Sequence, residues 1–475
     1  LSLWLREAGV ERAAVTYFSW AALGYSFKFV WAPLVDTLPL PLLTRFFGRR
    51  RAWLLLSQFM IMIAIAAMAF IDPATNTLAA MAWAAVLLGF SSATQDIVID
   101  AYRIESAEVE LQALMSSTYV VGYRVGMIFA GAGALYIASY FGSTAGNYDY
   151  QAWQQTYLIM AGFIFIGVIT TLLIAEPVTQ RVVEQSYSTQ QYLRFLMLFS
   201  LSVLGFVVTF FISSEIADEA KSKLTELVSN RNLAGFFVEL FRLGAAVIVA
   251  GAIAKGIIFL GIVKQKMVEQ SYVLPVADFF KRYGGSLAFL LLAIIGLYRM
   301  SDILLGVISN VFYYDLGYSK DEIATAGKLF GITMSIVGAI LGGVLTLRFG
   351  VMRILFLGAV LSAATNLLFM LLANVGHDLP FLYLVIAADN LSAGLASAAF
   401  IAFLSSLTNI SFTATQYAIF SSLMTLLPKI LGGYSGTMVD AMGYQQFFLI
   451  TALMGIPVLL LIVWANKRFD IDQKD

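Results

Sequence analysis

Residues 48–54 read Gly48-Arg49-Arg50-Arg51-Ala52-Trp53-Leu54 and open an apolar stretch that runs to residue 71. Upstream, Asp36 closes an earlier apolar stretch. In the second half of the chain Gly342-Gly343, then Arg348, Gly350 and Arg353, occupy the matching place between two further apolar stretches. A second pair of landmarks repeats in the same order: Tyr123-Arg124 with Gly126, Gly131 and Gly133 is echoed by Lys429 with Gly432, Gly433 and Gly436. One structural unit used twice is the simplest source of such a pattern, as in transporters built from repeated helix bundles.

Counting outward from these turns, apolar stretches run through 12–34, 52–71, 78–102, 111–140, 152–175, 191–213, 234–263, 285–314, 321–347, 352–373, 380–405, 414–439 and 445–465. Each has about the 20 apolar residues that one bilayer crossing needs. The stretches at 78–102 and 111–140 are separate spans because Glu105, Glu108 and Glu110 lie between them. Leu1 to Leu5 run straight into Arg6, Glu7, Glu11 and Arg12, so a first helix wholly or partly missing is expected. The predicted fold is all-α and polytopic. It has an N-terminal bundle over 1–180, an insert with two extra spanning helices over 181–275, and a C-terminal bundle over 276–475.

Composition excludes several function classes. Hydrophobic residues make up 60% and charged residues 12%, too few charges for an ordinary soluble surface. Net charge is zero and the charges sit in short clusters between apolar runs, which argues against nucleic acid as a partner. There is no cysteine, and His377 is the single histidine. Disulfides, thiolate chemistry and multi-histidine metal sites are thereby removed, and no cofactor is expected.

Lysine and arginine set the orientation, because positive loops stay in the cytoplasm. One alternate set of loops holds Arg45, Arg49, Arg50, Arg51, Arg103, Arg181, Lys264, Lys266, Lys281, Arg282, Arg348, Arg353, Lys467, Arg468 and Lys474. The other holds mainly Arg6, Arg12, Lys221, Lys223, Arg231 and Lys320. The first set and the C-terminus are predicted to be cytoplasmic. The insert, with Gly244, Gly251, Gly256 and Gly261 among Leu, Val, Phe and Ile, reads as a lipid-facing hairpin or a spacer.

Charged groups inside spans are costly unless paired or wetted, so each is a candidate for the transport pathway. Asp96, Asp100 and Arg103 fall on one helical face, with Asp100 and Arg103 pairing near one end and Gln95 and Asp96 lying deeper. Tyr119, Tyr123 and Arg124 lie on the next span, where phenol and guanidinium groups suit a sugar or a carboxylate. Arg124 has a second reading as the counter-ion of Asp96 or Asp100. Arg299 and Asp302 are one turn apart, and a carboxylate beside an arginine can alternate between paired and protonated or hold a fixed bridge.

Lys328 can face Asp302 or an anionic group, or snorkel to the interface. Asn390, next to Asp389, and Gln416 are polar groups that bind a solute or join helices. Lys28 lies near the end of its span and is open to the same snorkelling reading. Asp36 with Arg49 and Arg50 can form interhelical ion pairs in one conformation and lose them in another, a gate for alternating access. The arginines also anchor their loop.

The strings Phe27-Lys28-Phe29-Val30-Trp31-Ala32-Pro33-Leu34-Val35-Asp36 and Phe47-Gly48-Arg49-Arg50-Arg51-Ala52-Trp53-Leu54 resemble the AmpG muropeptide permease family of the major facilitator superfamily. So do Ser92-Ala93-Thr94-Gln95-Asp96-Ile97-Val98, Gly122-Tyr123-Arg124-Val125-Gly126-Met127 and Phe412-Thr413-Ala414-Thr415-Gln416-Tyr417-Ala418.

The resemblance implies a major facilitator fold of two six-helix bundles in the bacterial inner membrane. It also implies a monomeric, proton-coupled importer of GlcNAc-1,6-anhydroMurNAc peptides for peptidoglycan recycling. The partners are then the anhydromuropeptide, protons and the lipid bilayer, and the family also supplies the muropeptides that induce β-lactamase. Family roles carry over best to Gln95 and Asp96. Acetyl-coenzyme A transporters share part of the early pattern and are the nearest competing substrate class. A membrane-embedded transferase is a different class, which usually needs a catalytic histidine, a metal cluster or a carboxylate pair exposed near one surface; here the single histidine falls in a loop and the carboxylates are spread over both halves.

Overall fold

The computed structural model describes residues 1–475 except 12–14, 16–17, 19–23, 76–77, 144–146, 179–186, 229–230, 433 and 469–475, and also excepts the side chains of 109, 227–228, 231–233, 236, 320–321 and 430. Ten of the 23 residues of the span expected at 12–34 lie outside this set, as do Arg12, Arg181 and Lys474. Among the described residues, twelve helical segments are long and apolar enough to cross a membrane, and they correspond to the remaining twelve expected stretches.

In chain order the helices used below are α1 (Ala32–Thr37), α2 (Arg49–Ala69), α3 (Leu78–Glu105), α4 (Gln112–Ile128), α5 (Tyr150–Leu173), α6 (Thr189–Ile212), α7 (Ser214–Val228) and α8 (Arg231–Phe259). They continue as α9 (Leu274–Leu297), α10 (Met300–Asp315), α11 (Gly331–Phe349), α12 (Val351–Val375), α13 (Leu379–Leu407), α14 (Thr413–Gly432), α15 (Ser435–Leu453) and α16 (Gly455–Arg468). A π-helical turn, Phe129–Gly133, carries α4 on into Ala134–Tyr140.

The repeated basic turns have the same backbone. Gly48 sits at φ 82°, ψ 177° before α2, and Gly350 at φ 86°, ψ 157° before α12. Side chains exclude this region almost entirely, so glycine is required at both positions. At Gly48 the space a Cβ would take is filled by Glu176, whose carboxylate accepts from the N–H groups of Arg50 (2.7 Å) and Arg51 (3.0 Å). That carboxylate satisfies donors which the first turn of α2 leaves without helical partners. Breaks at Gly284 in α9 and Gly443 in α15 divide those helices where the expected spans at 285–314 and 445–465 begin.

The chain divides into two compact units, Leu1–Arg181 with Phe279–Asp475, and Val182–Asp278. In the smaller unit α6 and α8 pack antiparallel. Ile253 of α8 lies over Gly205 of α6, so closely that a side chain at 205 has no room. Five residues further along α6 the Arg242 guanidinium stands 3.9 Å over the Phe210 ring. It donates to the Phe210 carbonyl (2.9 Å) and Ser213 Oγ (3.2 Å), serving carbonyl groups at the end of α6.

In the larger unit α11 and α13 cross on a seam of small residues. A Cβ at Gly338 would fall on the Leu391 carbonyl, and one at Gly394 on the Ser335 carbonyl. Without a hydrophobic drive between helices in lipid, such close backbone approach is a main source of helix association. The N- and C-terminal halves of this unit meet along α4 and α11, where Ser117 Oγ donates to the Ala339 carbonyl at 2.8 Å and presses on Gly343. They meet again where α1 and α3 approach α14.

Candidate functional site

Among the described residues, three ionic networks lie within the helices of the larger unit. The first joins α1, α2, α3 and α14. Arg50, fully buried, donates to Asp36 Oδ1 at 2.8 Å and to Glu105 through Nη2 at 2.6 Å and Nε at 3.0 Å. Arg49 adds an ion pair with Glu105 at 3.5 Å and donates to the Asp36 carbonyl at 3.1 Å. Asp36 Oδ2 accepts from both the N–H and the hydroxyl of Thr415, each at 2.8 Å. A carboxylate of the first half therefore caps a helix that starts in the second, where unpaired N–H groups and the helix dipole favour negative charge. Arg51 instead donates to the carbonyls of Thr171 and Leu172.

The second network lies deeper between α3 and the segment before α1. Lys28, 3% exposed, donates to Asp96 Oδ2 at 2.6 Å and lies 3.5 Å from Asp100. Asp100 also pairs with Arg103 at 3.7 Å, the expected one-turn pair. Tyr119 donates to Asp96 Oδ1 at 2.9 Å. Arg103 reaches across to the second half, donating to Ser405 Oγ at 2.9 Å and lying over the Tyr417 ring. Two cations and two carboxylates balance, as burial of charge requires.

The third network sits where α9 gives way to α10. Arg299 pairs with Asp302 at 3.5 Å and donates to Ser397 Oγ on α13 at 2.8 Å. Arg124, on α4 of the other half, makes no hydrogen bond or ion pair among the described residues, and its Nε is buried without a partner. The Arg299 charge acts on it directly. Two guanidinium groups from opposite halves thus lie within electrostatic reach of each other, and one of them, Arg299, is ion-paired with Asp302.

The other expected residues are placed as follows. Lys28 does not snorkel to the interface, and it takes the role of counter-ion to Asp96 and Asp100 that was open for Arg124. Gln95 is partly buried one residue from Asp96, on a neighbouring face. Tyr123 is 61% exposed. Lys328 is exposed on the π-helical segment Ala324–Phe330 and is not paired with Asp302.

Asn390 donates to its own helix at Ile386 and packs on Gly331. Gln416 is 1% exposed, and its oxygen already accepts from Asn409 N–H (2.8 Å) and Arg282 (3.1 Å). His377 stacks on Tyr318 and lies 3.6 Å from Glu322, outside the spans. Hydrogen bonds from the Ser319 N–H and hydroxyl hold the Glu322 carboxyl below its ordinary pKa, with His377 a lesser cause.

Sequence reasoning missed Glu105, Glu176 and Thr415 as partners. The two carboxylates lie 55 and 126 residues from Arg50, so nothing in the sequence joined them to the basic turn. Thr415 carried no signal either, since its contribution is mostly a main-chain donor. Among the described residues no group of histidine and carboxylate side chains is arranged to hold a metal ion.

The sequence matches the model of the Major Facilitator Superfamily twice, over residues 7–298 and 289–473. It is 28% identical over 471 residues to one of the AmpG-named transporters of Rickettsia felis, covering 99% of this chain and 92% of that protein. It is also 28% identical to the anhydromuropeptide permease of Escherichia coli K12, covering 99% of this chain and 76% of that protein. Among solved structures, the proton:xylose symporter XylE bound to 6-bromo-6-deoxy-D-glucose superposes with a TM-score of 0.59 at 12% identity, covering 97% of this chain and 88% of that one. That likeness concerns the fold.

Proposed function

The chain belongs to the Major Facilitator Superfamily, and on that premise we propose that this multi-pass membrane transporter imports GlcNAc-1,6-anhydroMurNAc peptides, driven by protons, across the bacterial inner membrane. The substrate class rests on similarity along almost the whole chain to a protein named anhydromuropeptide permease. The observation that carries it is that Arg124 and Arg299, from opposite halves, lie within electrostatic reach of each other, with Arg299 ion-paired to Asp302. A peptide carboxylate completes that arrangement, because guanidinium groups bind carboxylates by paired, charge-assisted hydrogen bonds.

In this reading Arg124, Arg299 and Lys328 hold carboxylates, while Gln95, Tyr119, Tyr123, Asn390 and Gln416 serve sugar hydroxyls and amides as the halves move. Asp96, Asp100 and Asp302 are the proton-coupling carboxylates. Asp36, Arg49 and Arg50 gate the arginine-rich end, which faces the cytoplasm together with the C-terminus. The protein works as a monomer, and the three domains are the bundles 1–180 and 276–475 with the insert 181–275 between them.

The test is uptake of a labelled disaccharide anhydromuropeptide into proteoliposomes with and without an imposed proton gradient. Accumulation that depends on the gradient supports the whole reading. Uptake without dependence removes the proton. No uptake by folded protein removes the substrate and makes coenzyme A thioesters the next anions to try.

A further inference from the structure

Asp389 lies on α13 within a membrane-spanning segment, where a lone ionised carboxylate is expensive. Among the described residues it accepts one long hydrogen bond, from Thr365 Oγ1 at 3.4 Å, and makes no ion pair. The charges that act on it are those of Asp302 and Arg299. Asp389 and Ser397 are two turns apart on one face of α13, and Arg299 is bonded to Ser397 while pairing with Asp302 one turn along α10. Two carboxyl groups therefore share the neighbourhood of one guanidinium, which already has a partner.

Among the described residues no cation besides Arg299 forms an ion pair with either carboxylate. On α10 the remaining titratable neighbour is Tyr313, buried and within electrostatic reach. On α12 the nearest polar groups are Thr365 and Asn366, and Asn366 donates to Ser301 at 2.6 Å. Arg348 and Arg353 lie at the far ends of α11 and α12. Lys328, on the segment before α11, is exposed and makes no ion pair with either carboxylate. From α4 the charged group is Arg124, facing Arg299. When a further negative charge enters such surroundings, the two like-charged carboxyl groups do not both stay ionised, and the proton taken up belongs to the pair.

We propose that Asp302 and Asp389 form one carboxyl pair that carries a single exchangeable proton, with Asp389 the member that takes it up, and that this proton enters with an anionic group of the substrate held by Arg124 and Arg299. The inference rests on the proton-driven reading above and adds the coupling rule to it. With the site empty, two guanidinium groups balance two carboxylates. A substrate carboxylate adds one negative charge, and an O–H bond formed on Asp389 with a proton from the substrate-rich side restores neutrality. On the opposite side that O–H bond breaks, the proton passes to water, and the substrate leaves with its own charge unchanged. Each transition between sides is made by a neutral centre, which the low dielectric favours.

The test compares wild type, Asp389→Asn and Asp389→Glu in proteoliposomes with the labelled disaccharide anhydromuropeptide. Asp389→Asn is expected to lose gradient-driven accumulation while retaining substrate exchange between equal pH values, because exchange needs no net proton movement. Asp389→Glu is expected to restore accumulation. Wild-type accumulation by Asp389→Asn overturns the proposal, and so does loss of exchange together with accumulation, which marks a structural residue. Should Asp389→Asn not fold, purified wild type in weak buffer decides: substrate binding is expected to take up a proton, and binding with no uptake overturns the pair. Absence of any gradient dependence in the wild type is a separate result that removes the proton-driven reading itself.

Discussion

The Asp36 carboxylate, from a helix of the first half, accepts two hydrogen bonds from Thr415 in the first turn of a helix of the second, both at 2.8 Å. The same carboxylate accepts from the buried Arg50. This joint links the two halves of the larger unit at its arginine-rich end.

Replacing Asp36 by Ala is expected to open that end. Removing one member of a buried, hydrogen-bonded charge group costs about 2–5 kcal/mol, here charged to the closed arrangement. The natural chain has no cysteine, so a single cysteine at Ser117, pressed against Gly343 when the halves are closed, is a clean reporter. Maleimide labelling of that cysteine should be markedly faster in the Asp36→Ala background. Equal labelling rates would show that the joint does not hold the halves together.

Lys28→Ala should destabilise the folded protein by about 3–5 kcal/mol, because it leaves buried Asp100 paired with Arg103 alone and half-buried Asp96 without an ion-pair partner. Lys28→Met combined with Asp96→Asn removes one charge of each sign and should recover much of the loss. Thermal unfolding in detergent checks both. A double variant no more stable than Lys28→Ala argues that the lysine acts through packing.

Arg124→Gln should leave thermal stability near wild type, since Arg124 has no ion pair to lose. It should weaken substrate binding by about 1.5–3 kcal/mol, roughly ten- to hundredfold in KM, the worth of a charge-assisted hydrogen bond. The measurement is initial uptake rate against substrate concentration. A large fall in stability with KM unchanged would assign Arg124 a structural role.

Gly338→Ala is expected to cost at least about 1–3 kcal/mol, because the added Cβ meets the Leu391 main chain instead of a movable side chain. Gly126→Ala, with open space around the position, should be close to neutral. Melting temperatures of the two variants, measured side by side, test whether the α11–α13 seam or glycine content in general holds the bundle.

What the sequence conveyed and what it withheld divide by range. Gly48 and Gly350 were legible as a repeat because a local turn imposes its residue type locally. Asp100 and Arg103 were legible because one helical turn joins them. Lys28 and Asp96 are 68 residues apart, and Asp36 and Thr415 are 379 apart. No periodicity links such pairs, so Lys28 stayed ambiguous and Thr415 carried no signal. Gln416 looked like a free polar group in a span because its partners, the Asn409 N–H and Arg282, become neighbours only once the helix start is built. Asp389 had the opposite difficulty: its importance comes from the missing cation, and a missing neighbour leaves no mark in a string of letters.

The joint at Asp36 also bears on how such a protein tolerates drift. Of its two strongest bonds to the second half, one donor is the main-chain N–H of residue 415, which every amino acid but proline supplies. Substitutions at 415 can trim the hydroxyl bond and leave the main-chain one in place. Substitutions at 36 remove both. The genetic vulnerability of the contact is thus concentrated on one side, and a lineage can vary residue 415 widely while residue 36 has almost no freedom to change.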